Sequence, residues 1–260
     1  MSLFHFIASQ GIQRAMLYQP QRFSMEDLRR SAGRIGLEPW LTADSSYLGL
    51  INRHYREVSR GAVIVFHGNA GAALHRSYYA DALVPMGFRV LIAEYPGYGA
   101  RPGGMTEEIF VKNARFIARR AKDELGSPVC LWGESPGAAV AAATAADPSI
   151  EVHGIALITP WDNLRNVAQA VMPIVPVRFF MRDKYDSVKN LAAYQGPKAV
   201  LVAEHDEIIP PRLPRKLYES LPESKRFWVF EGASHNSRPV EAGSDWWVEA
   251  AEYLEKEAGE

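Results

Sequence analysis

The chain has 260 residues, a formal net charge of −1 and 47% hydrophobic residues. That length suits one large domain with a substantial core or two small ones, and a near-neutral charge without a dense Lys/Arg block argues against a nucleic-acid partner. No apolar run approaches the roughly 18 residues of a membrane-spanning helix, and the single cysteine, Cys130, rules out an internal disulfide and reads as a small buried hydrophobe.

The opening stretch, MSLFHFIASQGIQRAMLYQP, is mildly amphipathic. It lacks the basic start, clean apolar run and small-residue cleavage site of a secretory signal. It predicts a short packing helix, allows a weak peripheral membrane contact, and leaves a cytoplasmic protein as the expectation. Segments near Leu37–Leu41 and Tyr47–Arg53 predict antiparallel edge strands. AVIVF, from Ala62 to Phe66, predicts a strand followed by a helix around Ala72 to Val84. RVLIAEY, from Arg89 to Tyr95, predicts a strand followed by a helix from about Glu107. In that helix Phe110, Ala114, Ile117, Ala118, Ala121 and Leu125 fall on one face, Thr106 is placed to cap it, and Glu107 and Glu108 suit its first turn. VCLW precedes Ser135, and an alanine-rich helix follows. GIALIT (Gly154 to Thr159), AVLVAE (Ala199 to Glu204) and RFWVF (Arg226 to Phe230) complete the series. Nearly continuous apolar strands alternating with helices predict a mostly parallel sheet covered on both faces.

One segment interrupts this rhythm. Asp162 to Pro197 is too long for a simple crossover, and Pro173 and Pro176 divide it into short pieces. Its apolar residues, Met172, Phe179, Phe180 and Met181, suggest a small lid over a substrate pocket rather than plain packing on the core. Trp161, Phe179 and Phe180 are candidate pocket-lining residues.

The chemistry concentrates at the ends of the predicted strands, where open α/β sheets bind their ligands. Gly133 and Gly137 flank Ser135 as Gly-x-Ser-x-Gly between a buried-type strand and a helix, a layout that presents a serine hydroxyl on a tight turn. A serine needs a base, a carboxylate to orient the base, and donors for the developing oxyanion. Asp206, after AVLVAE, is the expected acid, with Glu207 and Glu204 as competitors. His235, after RFWVF, is the expected base. The order Ser135, Asp206, His235 fits one known arrangement of such triads. FHGNAG, from Phe66 to Gly71, offers backbone N–H groups near Gly68 and Asn69 for the oxyanion. His67 reads as a loop-packing residue. EYPGYG, from Glu94 to Gly99, forms another strand-end loop in which Tyr98 is placed to line the site. No clustered spacing implies a metal or an organic cofactor.

FHGNAG, EYPGYG, GESPG, EHDEIIP and GASHN, in this order, resemble the motifs of small α/β-hydrolases, close to the serine aminopeptidase-like and acyl-protein-thioesterase-like members, over roughly Val63 to the C-terminus. The resemblance implies an α/β-hydrolase fold of about eight strands in a single domain over residues 1–260, with 162–197 as lid. It also implies a Ser135–His235–Asp206 triad. The expected function is a serine hydrolase acting on a small-molecule or acylated substrate, an ester or thioester in preference to an amide.

Pro136 departs from that pattern. At the first helical position its fixed φ is favourable and its missing N–H costs no helix bond. That N–H is, however, one of the two main oxyanion donors of the fold, and losing one such donor costs about 10²–10³ in rate. A proline also pushes the preceding residue toward extended geometry, which predicts a relaxed turn at Ser135. The alternative expectation is an attenuated or non-catalytic protein that keeps the fold for binding. The Asn69 amide and the Tyr98 hydroxyl are candidate substitute donors.

Overall fold

A computed structural model describes residues 10–54, 60–126, 128–174 and 181–256. An eight-stranded sheet forms the centre. Its strands are β1 (Leu37–Leu41), β2 (Tyr47–Asn52), β3 (Gly61–Phe66), β4 (Phe88–Ala93), β5 (Val129–Glu134), β6 (Gly154–Ile158), β7 (Lys198–Ala203) and β8 (Lys225–Phe230). Their spatial order is β8-β7-β6-β5-β3-β4-β2-β1. β2 runs antiparallel to both neighbours, and the strands from β3 to β8 are mutually parallel. This is the α/β-hydrolase fold.

The helices are α1 (Gln10–Leu17), α2 (Met25–Arg34), α3 (Tyr78–Leu83), α4 (Glu107–Leu125), α5 (Pro136–Ala145), α6 (Leu164–Val171), α7 (Ser187–Leu191), α8 (Arg212–Ser220) and α9 (Asp245–Lys256). Among the described residues, no helix is long and apolar enough to cross a membrane.

Strand side chains alternate between two cores, as the period of two requires. Ile64, Phe66, Leu131 and Leu157 pack with α4 and α5 on one face. Val63, Val65, Trp132 and Ile158 pack with α2, α3 and α9 on the other, where Trp132 stacks on Trp247 with ring centroids 5.7 Å apart. Cys130 belongs to this second core, and burial pushes its thiol up to about 12. The apolar face predicted for α4 is buried at every named position, and Thr106 caps it by accepting from the Ile109 N–H at 3.2 Å. The single helix expected over Ala72 to Val84 is instead a 3₁₀ turn at Ala73–Arg76 followed by α3. Side-chain acceptors compete for the backbone here: the Ala73 N–H donates to the Glu94 carboxylate from the end of β4, and the Ala72 N–H donates to His75 Nδ1.

The register brings the strand ends together. Phe66 pairs with Gly133, Glu134 with Ile158, and Ala203 with Phe230. The loops after β3, β5, β6, β7 and β8 therefore leave the same edge of the sheet. The insert after β6 closes on itself at its base: the Ser187 and Val188 N–H groups donate to the Asp162 carbonyl, and the Leu164 N–H donates to that of Lys184. Asp162 is fully buried there and accepts from Asn163 N, Asn166 Nδ2 and Lys216 Nζ.

Candidate active site

The tight turn between β5 and α5 follows from two glycines. A Cβ on Gly137 would lie 1.9 Å from the Phe66 carbonyl oxygen, and one on Gly133 would lie 2.3 Å from that of Gly137. The helix therefore sits against the strands more closely than any side chain permits. The chain must reverse within one residue, and Ser135 takes φ 54° and ψ −117°. For a non-glycine residue this left-handed φ is strained. The relaxed turn expected from Pro136 is not found. A ψ of −117° lies outside the α region that a following proline disfavours, so the two demands do not conflict. The turn is held by Ser135 N donating to the Ile158 carbonyl at 2.9 Å and Ala138 N donating to the Ser135 carbonyl at 3.0 Å.

Ser135 stands at the N-cap of α5, a position where serine usually accepts from the helix backbone. Its side chain makes no such bond. The hydroxyl Oγ lies 3.2 Å from His235 Nε2, and His235 Nδ1 lies 2.7 Å from Asp206 Oδ2. An ionised Asp206 only accepts, which assigns the imidazole proton to Nδ1 and leaves Nε2 to accept from the serine hydroxyl. The other oxygen of Asp206 accepts from the N–H groups of Ile208 at 3.0 Å and Ile209 at 2.7 Å. Ser135 and His235 are buried, 8% and 7% exposed. The structure thus brings Ser135, His235 and Asp206 into one hydrogen-bonded line. The competing acids also meet the histidine loop, but at backbone: Glu207 accepts from the His235 N–H and Glu204 from the Gly232 N–H.

Neighbouring side chains hold the carbonyls of the loop after β3. Tyr95 donates to the His67 carbonyl at 3.0 Å, His67 Nδ1 lies 2.8 Å from that of Gly68, and Tyr98 donates to that of Asn69 at 2.7 Å. In a planar trans peptide the N–H points opposite the preceding carbonyl, so the Gly68 carbonyl held by His67 turns the Asn69 N–H away from the ring. His67 is fully buried, with Nε2 3.1 Å from Glu94 Oε1. Tyr98 is buried, and its proton is committed to the Asn69 carbonyl, which removes it as a substitute oxyanion donor. Trp161 is also buried, with Nε1 donating to the Tyr185 carbonyl. Pro136 occupies the first position of α5, as expected, without an N–H. Phe179 and Phe180 lie outside the described residues. Among the described residues, no group of three or more His, Cys, Asp or Glu is placed to hold a metal ion.

Sequence reasoning passed over one buried group. Glu134, immediately before Ser135, accepts from Tyr78 Oη at 2.7 Å and pairs with Arg238 at 2.6 Å and Arg76 at 3.3 Å. Burial alone would raise its carboxyl, but the two guanidiniums and the Tyr78 hydroxyl outweigh this and hold it at about 2. The only sequence signal was an acid between a buried-type strand and the serine, a place where an unpaired charge would be costly.

Residues 57–182 match the profile of the serine aminopeptidase (S33) family. An uncharacterized protein of Mycobacterium tuberculosis is 33% identical over 178 residues, covering 67% of this chain and 63% of the relative. A lysophosphatidylserine lipase, ABHD12, of Danio rerio is 27% identical over 186 residues, covering 64% of this chain and 49% of the relative. The chain thus spans between about half and somewhat under two thirds of the length of these curated relatives. The solved esterase Pf2001 of Pyrococcus furiosus superposes with a TM-score of 0.69 at 17% identity, covering 93% of this chain and 97% of that one. Fold and profile match agree: the chain carries the α/β-hydrolase fold, and its sequence resembles that superfamily. Within it, the resemblance runs to the serine aminopeptidase-like branch.

Proposed function

We propose that this protein is a serine hydrolase that cleaves an ester or thioester, with small amides as lesser substrates, through an acyl-enzyme on Ser135. The observation that carries the proposal is the line Asp206–His235–Ser135, with contacts of 2.7 and 3.2 Å, ending at a serine held at φ 54°. His235 Nε2 takes the hydroxyl proton as Oγ attacks the carbonyl carbon. Asp206 stabilises the resulting imidazolium, and the Asn69 N–H donates to the oxyanion. His235 then protonates the leaving alcohol, and the same histidine activates the water that releases the acid. With Pro136 in place of an N–H donor, the transition state is stabilised less, which favours esters, whose leaving groups are better than those of amides.

The reading extends to a single domain in which the insert over 162–197 acts as a lid. Val171 and Ile174 of that insert are 59% and 95% exposed, and exposed apolar side chains there suit a long acyl chain. The Danio rerio relative is named a lysophosphatidylserine lipase, in keeping with that preference.

The test is labelling by a fluorophosphonate probe, followed by turnover of p-nitrophenyl esters of increasing chain length. Labelling of the wild type that is lost in Ser135→Ala and His235→Ala supports the proposal. A second reading, a binding protein that has kept the fold, rests on Pro136 alone, and a folded wild type that neither labels nor turns over any ester would favour it.

A further inference from the structure

We propose that Glu134 is a positioning residue whose buried carboxylate fastens both the histidine loop and the oxyanion loop to the nucleophile turn. The inference rests on the serine hydrolase reading of Ser135.

The geometry is convergent. Glu134 ends β5 and is bonded directly to Ser135. Arg238, which pairs with its Oε2 at 2.6 Å, lies on the same loop as His235. Arg76, which pairs with Oε2 at 3.3 Å, also donates through Nη2 to the Ala70 carbonyl at 3.2 Å, next to Asn69. The other oxygen, Oε1, lies 3.0 Å from where a Cβ of Gly68 would stand, so the carboxylate also fills the space beneath the oxyanion loop. Tyr78 ties the cluster together, donating to Oε2 at 2.7 Å and accepting from Arg238 Nη2 at 2.9 Å. Three chain segments that must align within a fraction of an ångström thus share one acceptor.

The charges support the same role. A lone carboxylate beside Ser135 would repel a developing oxyanion. Two guanidiniums against one carboxylate leave the cluster with a net positive charge, which does not oppose the reaction. Because Pro136 withdraws one donor, the position of the remaining loop donor carries more of the stabilisation.

The experiment compares wild type, Glu134→Gln, Glu134→Asp, Arg238→Gln and Arg76→Gln. Turnover of a p-nitrophenyl ester is measured per active site titrated by fluorophosphonate, together with inhibition by a boronic acid, whose tetrahedral serine adduct occupies the oxyanion site. A misplacement of about 1 Å costs up to about 100-fold. Glu134→Gln should therefore lower kcat by about 10- to 100-fold with KM unchanged and weaken the boronic acid by the same factor. Glu134→Asp, which keeps the charge, should recover part of the loss. A folded Glu134→Gln with wild-type kcat per titrated site overturns the proposal. If Glu134→Gln does not fold, the two arginine variants decide: reduced kcat per site supports the proposal, and wild-type turnover in both overturns it. Failure of the wild type to label would instead remove the serine hydrolase reading.

Discussion

Replacing Pro136 with alanine tests whether the site lacks an oxyanion donor. Alanine keeps the first helical position, because the Ala138 N–H to Ser135 carbonyl bond of 3.0 Å does not involve residue 136. The restored N–H has no acceptor within the helix and points out of its N-terminus, toward the turn. One such donor is worth about 10²–10³ in rate, and this sets the ceiling of the gain. The change also removes two buried ring methylenes, at about 0.8 kcal/mol each. Greater freedom of the unfolded chain adds roughly 0.4–1 kcal/mol. Together these predict a destabilisation of about 2 kcal/mol, which at this size lowers Tm by roughly 4–8 °C. The expected variant is thus less stable and at least about tenfold faster, well inside the range for one donor. The assay is p-nitrophenyl ester hydrolysis per titrated site, with thermal unfolding followed in parallel. A folded Pro136→Ala that turns over no faster than wild type would refute the reasoning and mean that another group already serves the oxyanion.

Other consequences can be measured on the same material. The Glu134 carboxyl sits at about 2 against an ordinary 4.5. A depressed carboxyl contributes stability above its unfolded value and loses it as pH falls through its folded one. That contribution, about 3 kcal/mol at 1.36 kcal/mol per unit, should be complete above pH 4.5 and gone near pH 2. Urea unfolding of wild type and Glu134→Gln across this range should converge in acid, and a constant difference would refute the assignment. Gly137→Ala would press a methyl to within 1.9 Å of the Phe66 carbonyl oxygen, so it should lose both ester turnover and cooperative melting. At the base of the insert, Lys216 is 61% exposed while its partner Asp162 is fully buried. Asp162→Ala, which strands several donors, should cost about 3 kcal/mol; a Tm equal to that of wild type would contradict this.

Most of the sheet was legible because its strands are short apolar runs bounded by loops. AVIVF and VCLW fall within the observed strands β3 and β5, and AVLVAE lies in β7 up to Ala203. The line of Ser135, His235 and Asp206 was legible for a related reason: each stands just after a strand, and parallel register carries strand ends to one place. The torsion of Ser135 was not legible, because the close packing of two glycines against the strands sets it, and no local preference of the serine does. The Glu134 cluster was illegible for a different cause. Glu134, Arg76 and Arg238 are far apart along the chain, and a charged residue taken singly suggests a solvated surface. Only the fold shows that they share one buried volume. The split of the helix after β3 likewise depends on Glu94, a residue on another strand end.

The closed base of the insert after β6 gives the architecture a modular character. Entry and exit meet at Asp162, where Ser187 and Val188 bond to the carbonyl of the same residue. The sheet below therefore meets the insert at a clasp of fixed width, and Leu164, Val167 and Tyr185 of the insert pack into the core beside it. An exchanged insert that keeps this clasp and those core residues should leave strand register and the loops that carry Ser135, Asp206 and His235 undisturbed. On the proposed lid role, what the protein accepts can vary within that cassette while the reacting groups stay fixed, and a chimera carrying a relative's insert with the same anchors tests whether chain-length preference moves with it.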